Sequence, residues 1–333
     1  MREVIVMKKS IIVLSIILIV AFGTVAGLYG TGFLSPAPKV KVRIGYLTGD
    51  LHHLALHVAV ARNYFAQYGL EYELYEYING PTLMQHFVVG ELDFAYVGTP
   101  PALTARASGI SSNATHLPVV IGSGNLEGSA LVVNPAIIKN VGDLENKKIG
   151  TPGTGTIQDV LISTYAKNNN LTITKYPGRI SDLPLQYGRG EIDGFIGWEP
   201  YPSIAVYQYN ASILLTSHEI MPNHQCCVLV VSDKFLAAHP EIVDKMVAIH
   251  KASIDFINTN PAEAKQLAMN ITKLPMPVIE LAFSHMSFSK SVNIESIRAF
   301  LVDMIRLGII KNIDVNQVDN FINGFINTKY IAG

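Results

Sequence analysis

Residues 190–200 read GEIDGFIGWEP and residues 90–100 read GELDFAYVGTP, so one pattern occurs twice at a spacing of one hundred positions. Each copy follows a helical pattern that ends at a glycine, and each continues into a short apolar strand. Each then ends with a glycine, polar or aromatic residues and a proline, which is common in the first turn of a helix. The sequence therefore predicts two strands that each lead into the N-terminus of a helix.

The repeat extends to the segments that precede these copies. Residues 43–49 (RIGYLTG) and residues 148–155 (KIGTPGTG) each resemble a strand that leads into a helix. Two β-α-β-α-β units of one design predict an α/β fold with two similar lobes. The strand ends of both lobes would face a shared cleft, where N–H groups at helix N-termini could bind a polar or anionic ligand. The alternative is two α/β domains that share no site.

The amino-terminal segment predicts a membrane anchor. Residues 11–30 are an apolar run of twenty residues, long enough to cross a bilayer, and the basic residues before it would keep residues 1–10 in the cytoplasm. A cleaved signal peptide is the alternative, because residues 25–27 (VAG) could form a small-residue cleavage site. Residues 31–38 form a semi-rigid spacer, and we expect the rest of the chain outside the cytoplasm.

The rest of the chain divides into three predicted parts. Residues 39–134 form the first lobe, residues 135–224 form the second lobe, and residues 225–333 return to the first lobe and end in helices. The formal net charge is −1, and the sequence contains no stripe of basic residues. Nucleic acid is therefore not expected as a partner. The two cysteines are neighbours, which is too close for ordinary disulfide geometry. The fold must therefore depend on its core.

Hydroxyl and glycine residues at the predicted strand ends are the main candidates for ligand contacts. Their hydroxyls and the adjacent helix N–H groups could bind a solute without reactive chemistry. These residues are Thr48, Gly49, Thr82, Thr99, Gly153, Thr154 and Thr156. The loop that holds the last three is neither a P-loop nor a dinucleotide-binding fingerprint, because it lacks the Gly-Lys-Ser/Thr sequence and the third glycine.

Other candidates have larger side chains. Trp198 could form an aromatic platform for a ligand, and Arg179 could bind an anion through two N–H groups. His52 or His53 could donate to a ligand, because their loop follows the first strand. Each also has a structural alternative, as a core residue, a solvated loop residue or part of a helix start. The remaining candidates lie near the same predicted edges and are Asn125, Glu199 and His224.

Some of the same residues have the side chains of a metal site. His224, Cys226 and Cys227, with His52 or His53 opposite, have the ligand types of a zinc or iron site. No spaced Cys-x-x-Cys or His-x-x-His motif accompanies them, and buried free thiols are common. The sequence therefore predicts no metal and no cofactor.

The chain resembles the substrate-binding proteins of ABC importers, in the group for nitrate, sulfonates, taurine and thiamine-pyrimidine precursors. The resemblance covers roughly residues 40–310 and lies in the two repeat copies, in residues 198–200 (WEP) and in residues 231–236 (VSDKFL). It implies a type II periplasmic-binding fold whose lobes close over a small solute for delivery to a membrane permease and its ATPase. Contacts from the strand-end loops and from Trp198 are also implied.

The resemblance implies a binding protein and not an enzyme. The expected solute is a small anion such as a sulfonate or nitrate, and a pyrimidine or another heterocycle is the alternative. Synthases of the thiamine pyrimidine precursor share this fold, so an enzyme that uses histidine and cysteine residues is a further alternative. The predicted position outside the cytoplasm argues against a biosynthetic enzyme.

Overall fold

The computed structural model describes residues 40–331 except Asn113. These residues form a six-stranded sheet and a five-stranded sheet with helices around them. Within this part of the chain, no helix combines the length and the apolar character needed to span a bilayer. The predicted anchor at residues 11–30, the cytoplasmic residues 1–10 and the spacer at residues 31–38 lie outside the described residues.

The strands and helices alternate along much of the chain. The strands are β1 (Lys41–Leu47), β2 (Glu71–Tyr77), β3 (Phe94–Gly98), β4 (Pro118–Glu127), β5 (Ser129–Val133), β6 (Lys148–Thr151), β7 (Thr174–Pro177), β8 (Gly194–Trp198), β9 (Ser212–Thr216), β10 (Gln225–Ser232) and β11 (Met286–Ser287). The helices are α1 (Leu54–Ala61), α2 (Tyr64–Gln67), α3 (Gly80–Val88), α4 (Thr99–Ser112), α5 (Ile157–Asn168), α6 (Leu183–Gly188), α7 (Tyr201–Tyr209), α8 (Ser217–Ile220), α9 (Asp233–Ala238), α10 (Pro240–Thr259), α11 (Pro261–Thr272), α12 (Met276–Ser284), α13 (Ile294–Arg306) and α14 (Val318–Phe325).

The two sheets have related topologies. The first has the order β11-β4-β10-β3-β1-β2, and the second has the order β7-β6-β8-β5-β9. In the first sheet β1 pairs in parallel with β2 and β3, and in the second β6 pairs in parallel with β7 and β8. Each parallel trio is extended by an antiparallel strand, which is β10 in the first sheet and β5 in the second. The repeat predicted from the sequence therefore corresponds to two similar sheets.

The chain crosses from the first sheet to the second at Gly128. The sequence placed this boundary at residue 134, but Ser129–Val133 pairs with β8 and β9 in the second sheet. Glu127 and Gly128 have φ values of 59° and 90°, and this left-handed bend ends β4 and redirects the chain. The return crossing leads into β10 at Gln225, the first residue of the predicted third part.

The repeated aspartate has the same role in both sheets. Asp93 Oδ2 accepts the N–H of Arg43 at 2.9 Å, and Asp93 N–H donates to the carbonyl of Arg43 at 2.9 Å. Asp193 Oδ2 accepts the N–H of Lys148 at 2.8 Å, and Asp193 N–H donates to the carbonyl of Lys148 at 2.9 Å. Each aspartate therefore joins the turn before β3 or β8 to the neighbouring strand β1 or β6.

A glycine on the first strand of each sheet permits close packing beside this aspartate. A Cβ atom on Gly45 would lie 2.7 Å from Leu92 Cδ1, and one on Gly150 would lie 2.9 Å from Ile192 Cδ1. Leu92 and Ile192 are equivalent in the two repeat copies and are both buried. The equivalence in sequence therefore extends to the packing of the two cores.

The C-terminal helices join the two lobes. α10 packs against α1 of the first lobe, and α12 packs against α7 of the second. α13 contacts α4 of the first lobe and α5 of the second. The tail therefore stabilises the position of one lobe against the other.

We predict that Asp193→Ala lowers the free energy of unfolding by about 1–3 kcal/mol, because the N–H of Lys148 loses its carboxylate acceptor. Asp93→Ala should have the larger effect, because Asp93 also binds the Arg43 guanidinium through contacts of 3.1 Å and 2.6 Å. Urea unfolding measures both changes. Asp193→Asn keeps an acceptor and is the control, and equal stability of Asp193→Ala and the wild type would contradict the proposed role.

Candidate functional site

The carboxyl ends of β1, β3 and β8 meet the N-termini of α3, α4 and α5 between the two sheets. The cavity at this place, which we name the central cavity, is lined by Leu47, Asp50, His52, Gly80, Gly98, Pro101, Thr156, Ile157, Gln158, Trp198 and Cys227. Its free volume is about 20 Å³, enough for about one water molecule. Both repeat copies therefore end at a single, nearly closed site.

Two helix starts at the central cavity are well capped. Asn79 Oδ1 accepts the N–H of Thr82 at 2.9 Å at the start of α3. Thr156 Oγ1 accepts the N–H of Asp159 at 3.3 Å at the start of α5. The N-terminus of a helix carries partial positive charge. Acceptor atoms of a bound ligand would therefore be favoured next to these helix starts.

Asp50 places a buried carboxyl group at the central cavity. It accepts the N–H of His52 at 2.9 Å and so caps the short 3-10 helix at Leu51–His53. Burial raises the pKa of Asp50 to about 6, although the charge of His52 opposes this rise. No lysine or arginine is among the residues that line the central cavity. The charges that face this space are therefore that of Asp50, when it is ionised, and that of His52, whose Nδ1 lies 3.4 Å from Asp50 Oδ1.

His52 connects the loop after β1 to the two cysteines. Its Nε2 donates to the carbonyl of Gly128 at 2.7 Å, and its Nδ1 lies 3.5 Å from Cys226 Sγ and 3.8 Å from Cys227 Sγ. Burial alone would lower the pKa of His52, but the charges of Cys226 and Asp50 raise it to about 10. Burial alone would raise the pKa of Cys226, but the Cys227 thiol and His52 lower it well below its usual value. These directions favour a buried imidazolium–thiolate pair.

His53 is a neutral hydrogen-bond donor beside Asp50. Its Nδ1 accepts the N–H of Leu47 at 3.1 Å, so the ring proton lies on Nε2. That Nε2 is buried, has no partner within the described residues, and lies 3.7 Å from Asp50 Oδ2. Burial and the charge of His52 hold the pKa of His53 well below its usual value. The site therefore contains an unused N–H donor close to a carboxyl group.

Trp198 lies at the carboxyl end of β8 and lines the central cavity. Its ring is 3% exposed and meets Tyr201 edge-on, with 6.1 Å between ring centroids. Its indole Nε1 is buried and has no partner among the described residues. Because a buried indole N–H usually donates to an acceptor, this group is a second unused donor at the site.

Three predicted residues are bonded to the protein itself. Thr99 Oγ1 donates to the carbonyl of Gln225 at 2.7 Å. Glu199 Oε1 lies 2.6 Å from His285 Nδ1, and both side chains are nearly inaccessible. Asn125 Oδ1 accepts a main-chain N–H from β10 at 3.2 Å. Thr99 and Asn125 therefore stabilise β10 within the first lobe, and Glu199 joins the end of β8 to the C-terminal part of the chain.

The structure distributes the other predicted residues over different positions. Those that line the central cavity are His52, Thr156 and Trp198. Those that line neighbouring cavities are Thr48, Gly49 and Thr154. Those that line none of these three cavities are His53, Thr82, Gly153, Arg179 and His224. Arg179 is exposed.

Sequence reasoning missed Asp50 and Gln158, which both line the central cavity. Gln158 Nε2 donates to Ser129 Oγ at 2.8 Å, so this amide connects α5 to the crossing at β5. Its signal in the sequence is a polar residue within the apolar start of a helix. Asp50 directly follows Gly49, in a loop already selected as a candidate, and its signal is an N-cap residue before His52.

Two groups of side chains could hold a metal ion. The ligand atoms of His52, Cys226 and Cys227 lie within 4.8 Å of one another, and those of Asp50, His53 and Cys227 form a second group. Thiolate and imidazole suit zinc or iron. The bond from His52 Nε2 to a carbonyl is the kind that orients a metal-binding histidine. The donor set therefore fits such an ion, although the sequence predicts none.

The fold and this cavity between its lobes define a two-lobed α/β protein of the periplasmic-binding class. Similar solved structures include the nitrate-binding protein NrtA of Synechocystis, with a TM-score of 0.77, 13% identity and coverage of 88% of this chain and 87% of that one. The E. coli aliphatic sulphonate-binding protein SsuA has a TM-score of 0.68 and 19% identity over 83% of this chain and 91% of that one. Identities this low establish the fold alone.

A third solved structure, the ligand-binding component of an ABC-type import system from Staphylococcus aureus, contains zinc. It has a TM-score of 0.74 and 16% identity, and the match covers 88% of this chain and 98% of that one. The predicted α/β periplasmic-binding fold is therefore confirmed.

The chain belongs to the NMT1-like family, which matches residues 35–272. A proposed binding protein of Brucella abortus is 24% identical over 253 residues, which are 73% of this chain and 75% of the relative. The 4-amino-5-hydroxymethyl-2-methylpyrimidine phosphate synthase of Aspergillus parasiticus is 24% identical over 260 residues, which are 71% of this chain and 73% of the relative. The resemblance stated from the sequence is therefore confirmed, and its relatives include both binding proteins and synthases.

We predict that Asp50→Asn is more stable than the wild type at pH 7 by up to about 3 kcal/mol, because the folded pKa of about 6 exceeds the ordinary value of 3.8. The Asp50 carboxyl binds its proton more tightly in the folded wild type than in the unfolded chain. The stability of the wild type therefore falls as the pH rises from about 4 to about 6. The two proteins should converge below about pH 4. Thermal melts across this range test the expectation.

The control variant is Asp182→Asn, which changes an exposed carboxylate in the second lobe. It should follow the wild type at every pH. A lower melting temperature for Asp50→Asn than for the wild type at pH 7 would show that the ionised carboxylate stabilises the fold, contrary to this prediction.

Proposed function

We propose that this chain is the solute-binding protein of an ABC importer, which captures a small solute between its lobes and delivers it to a membrane permease and its ATPase. The observation that carries the proposal is the convergence of both repeat copies on the central cavity, with a buried donor left unused at Trp198. The binding-protein fold of the solved neighbours supports it. The relation to a proposed binding protein of Brucella abortus also supports it.

We also propose that residues 11–30 anchor the chain in the membrane and that the two lobes lie outside the cytoplasm. The support is the uninterrupted apolar run and the basic residues before it. A solute receptor that is tied to the membrane would remain close to its permease.

The central cavity favours a heterocycle with amino and ring-nitrogen groups over an oxyanion. An oxyanion offers only acceptors and would be repelled by an ionised Asp50, and the one cationic side chain in the lining, His52, is already paired with Asp50 and Cys226. A heterocycle can donate to Asp50 and accept from Trp198 and the helix starts. The sulfonate-like or nitrate-like anion expected from the sequence stays a prediction, and Arg179, its proposed partner, lies away from this cavity.

Binding requires the lobes to open, because the central cavity has room for about one water molecule. The chain crosses between the sheets at Gly128 and again before Gln225. Crossings of this kind are suitable hinges for domain closure around a ligand. We propose that the solute enters an open form and that the closed form surrounds it.

A thermal screen of the purified chain with aminopyrimidines, nitrate and taurine tests the solute class. We predict stabilisation by an aminopyrimidine, of about 2.7 kcal/mol at one hundred times its Kd. The chain contains one tryptophan, so a fluorescence change on binding reports on Trp198. Asp50→Asn should weaken binding of the aminopyrimidine by roughly tenfold to a hundredfold, because a hydrogen bond to a charged group is lost.

Asp50→Asn should change the affinity for an anion in the opposite direction. Binding of nitrate or taurine should strengthen, because the variant removes a negative charge. Arg179→Gln is the matched control and should change neither affinity, since Arg179 is exposed and away from the cavity. Tight taurine binding that is lost in Arg179→Gln and unchanged in Asp50→Asn would reject the heterocycle.

A second candidate function is an enzyme of pyrimidine-precursor synthesis. The observation that favours it is the convergence of His52, Cys226 and Cys227, in a chain whose relatives include pyrimidine phosphate synthases. Metal analysis of the purified full chain separates the two functions. For a binding protein we predict substoichiometric iron and zinc. One equivalent of iron or zinc that is lost in Cys227→Ser would favour the enzyme, provided that the variant melts like the wild type.

A further inference from the structure

A second cavity lies beside the turn after β1, and we name it the tyrosine cavity. Its free volume is about 330 Å³. Small-molecule sites commonly have volumes of about 300–1,000 Å³. The lining residues that determine its chemistry are Tyr46, His57, Glu76, Tyr201, Ile271 and Leu274. It shares no lining residue with the central cavity, so it is a separate space.

Both lobes contribute to the walls of the tyrosine cavity. Tyr46 and Glu76 belong to β1 and β2 of the first sheet, and Tyr201 begins α7 of the second lobe. The Tyr201 hydroxyl donates to the carbonyl of Thr48 at 3.4 Å, which joins the lobes at the edge of the cavity. Ile271 lies at the end of α11. A molecule in this cavity would therefore contact both lobes.

Three of the polar side chains that face the tyrosine cavity make no hydrogen bond within the fold. Within the described residues, the Tyr46 hydroxyl, the His57 imidazole and the Glu76 carboxylate have no hydrogen-bond partner. The rings of Tyr46 and His57 meet edge-on, with 5.5 Å between centroids and 87° between planes. Both rings also line the cavity, where a ligand would contact them.

The tyrosine cavity has a net negative character. Burial lowers the pKa of His57 to about 4, so this ring is neutral at pH 7. Glu76 is then the one charged residue in the lining, and no lysine or arginine is present there. Burial first, and then the negative charge of Glu76, raise the pKa of Tyr46. Burial first, and then the negative charges of Asp50 and Glu76, raise the pKa of Tyr201 to about 12. The Glu76 charge therefore acts on both tyrosines.

We propose that the tyrosine cavity binds a small organic ammonium cation. The cation would lie against the rings of Tyr46 and Tyr201, which attract positive charge through their π-faces, and its charge would be balanced by Glu76. Ile271 and Leu274 would contact its apolar groups. An anion would be repelled by Glu76, and an uncharged ligand would gain nothing from it. This site is independent of the solute in the central cavity.

The test is isothermal titration of the purified full chain with choline and with dimethylbutanol, the uncharged isostere in which carbon replaces nitrogen. We predict saturable binding of choline and at least about tenfold weaker binding of dimethylbutanol. Glu76→Gln should weaken choline binding by at least about tenfold. The matched control is Glu73→Gln on the same strand, which changes an exposed ion pair with Lys41 and a hydrogen bond from Tyr75 and should bind choline like the wild type.

Tyr46→Phe and Tyr46→Leu complete the test, because the first keeps the aromatic face and the second removes it. Choline binding should persist in Tyr46→Phe and weaken severalfold in Tyr46→Leu. Circular dichroism melts establish that each variant is folded. The proposal is overturned if the wild type shows no saturable choline binding at millimolar concentrations. Equal affinities for choline and dimethylbutanol, or for the wild type and a folded Glu76→Gln, would also overturn it.

Discussion

The carboxylates of Asp93 and Asp193 each accept a main-chain N–H group from the neighbouring strand, and the position of the site depends on this interaction. It fixes the register of β3 on β1 and of β8 on β6, at the start of each apolar strand. Because β3 and β8 are short, fixing the start of each strand also fixes the position of its carboxyl end. The ends of both strands reach the central cavity through Gly98 and Trp198. One local hydrogen bond, present once in each lobe, therefore positions the strand end that each lobe contributes to the central cavity.

The repeat made the α/β architecture and several cavity residues predictable, because strand ends recur at fixed spacing. His52, Thr156 and Trp198 follow from that logic. The sheet to which residues 129–133 belong could not be predicted from the repeat, since an apolar run of five residues suits either sheet. The left-handed bend at Glu127 and Gly128 directs this run into the second sheet. The sequence also could not show which polar groups are already bonded, because such partners are distant along the chain.

Several polar groups at the central cavity reduce the stability of the fold when no ligand is bound. Asp50 is buried with a raised pKa, and Trp198 Nε1 has no partner within the described residues. Buried polar groups are normally paired, and an unpaired donor costs about 1–3 kcal/mol. Residues that bind a ligand commonly reduce stability in this way. Their position between two lobes explains the cost, since a solute could satisfy donors from both lobes at once.

The accessibility of the two cysteines distinguishes a structural role of the His52–Cys226 pair from a chemical role. A thiolate with a lowered pKa is a good nucleophile, but it must be reached by its target. Cys226 is 0% exposed and does not line the central cavity, whereas the neighbouring Cys227 does. Burial raises the pKa of Cys227 well above its usual value, so the accessible thiol is the less reactive one. In the closed form the pair therefore joins the loop after β1 to the start of β10, and covalent chemistry at Cys226 would require the lobes to separate.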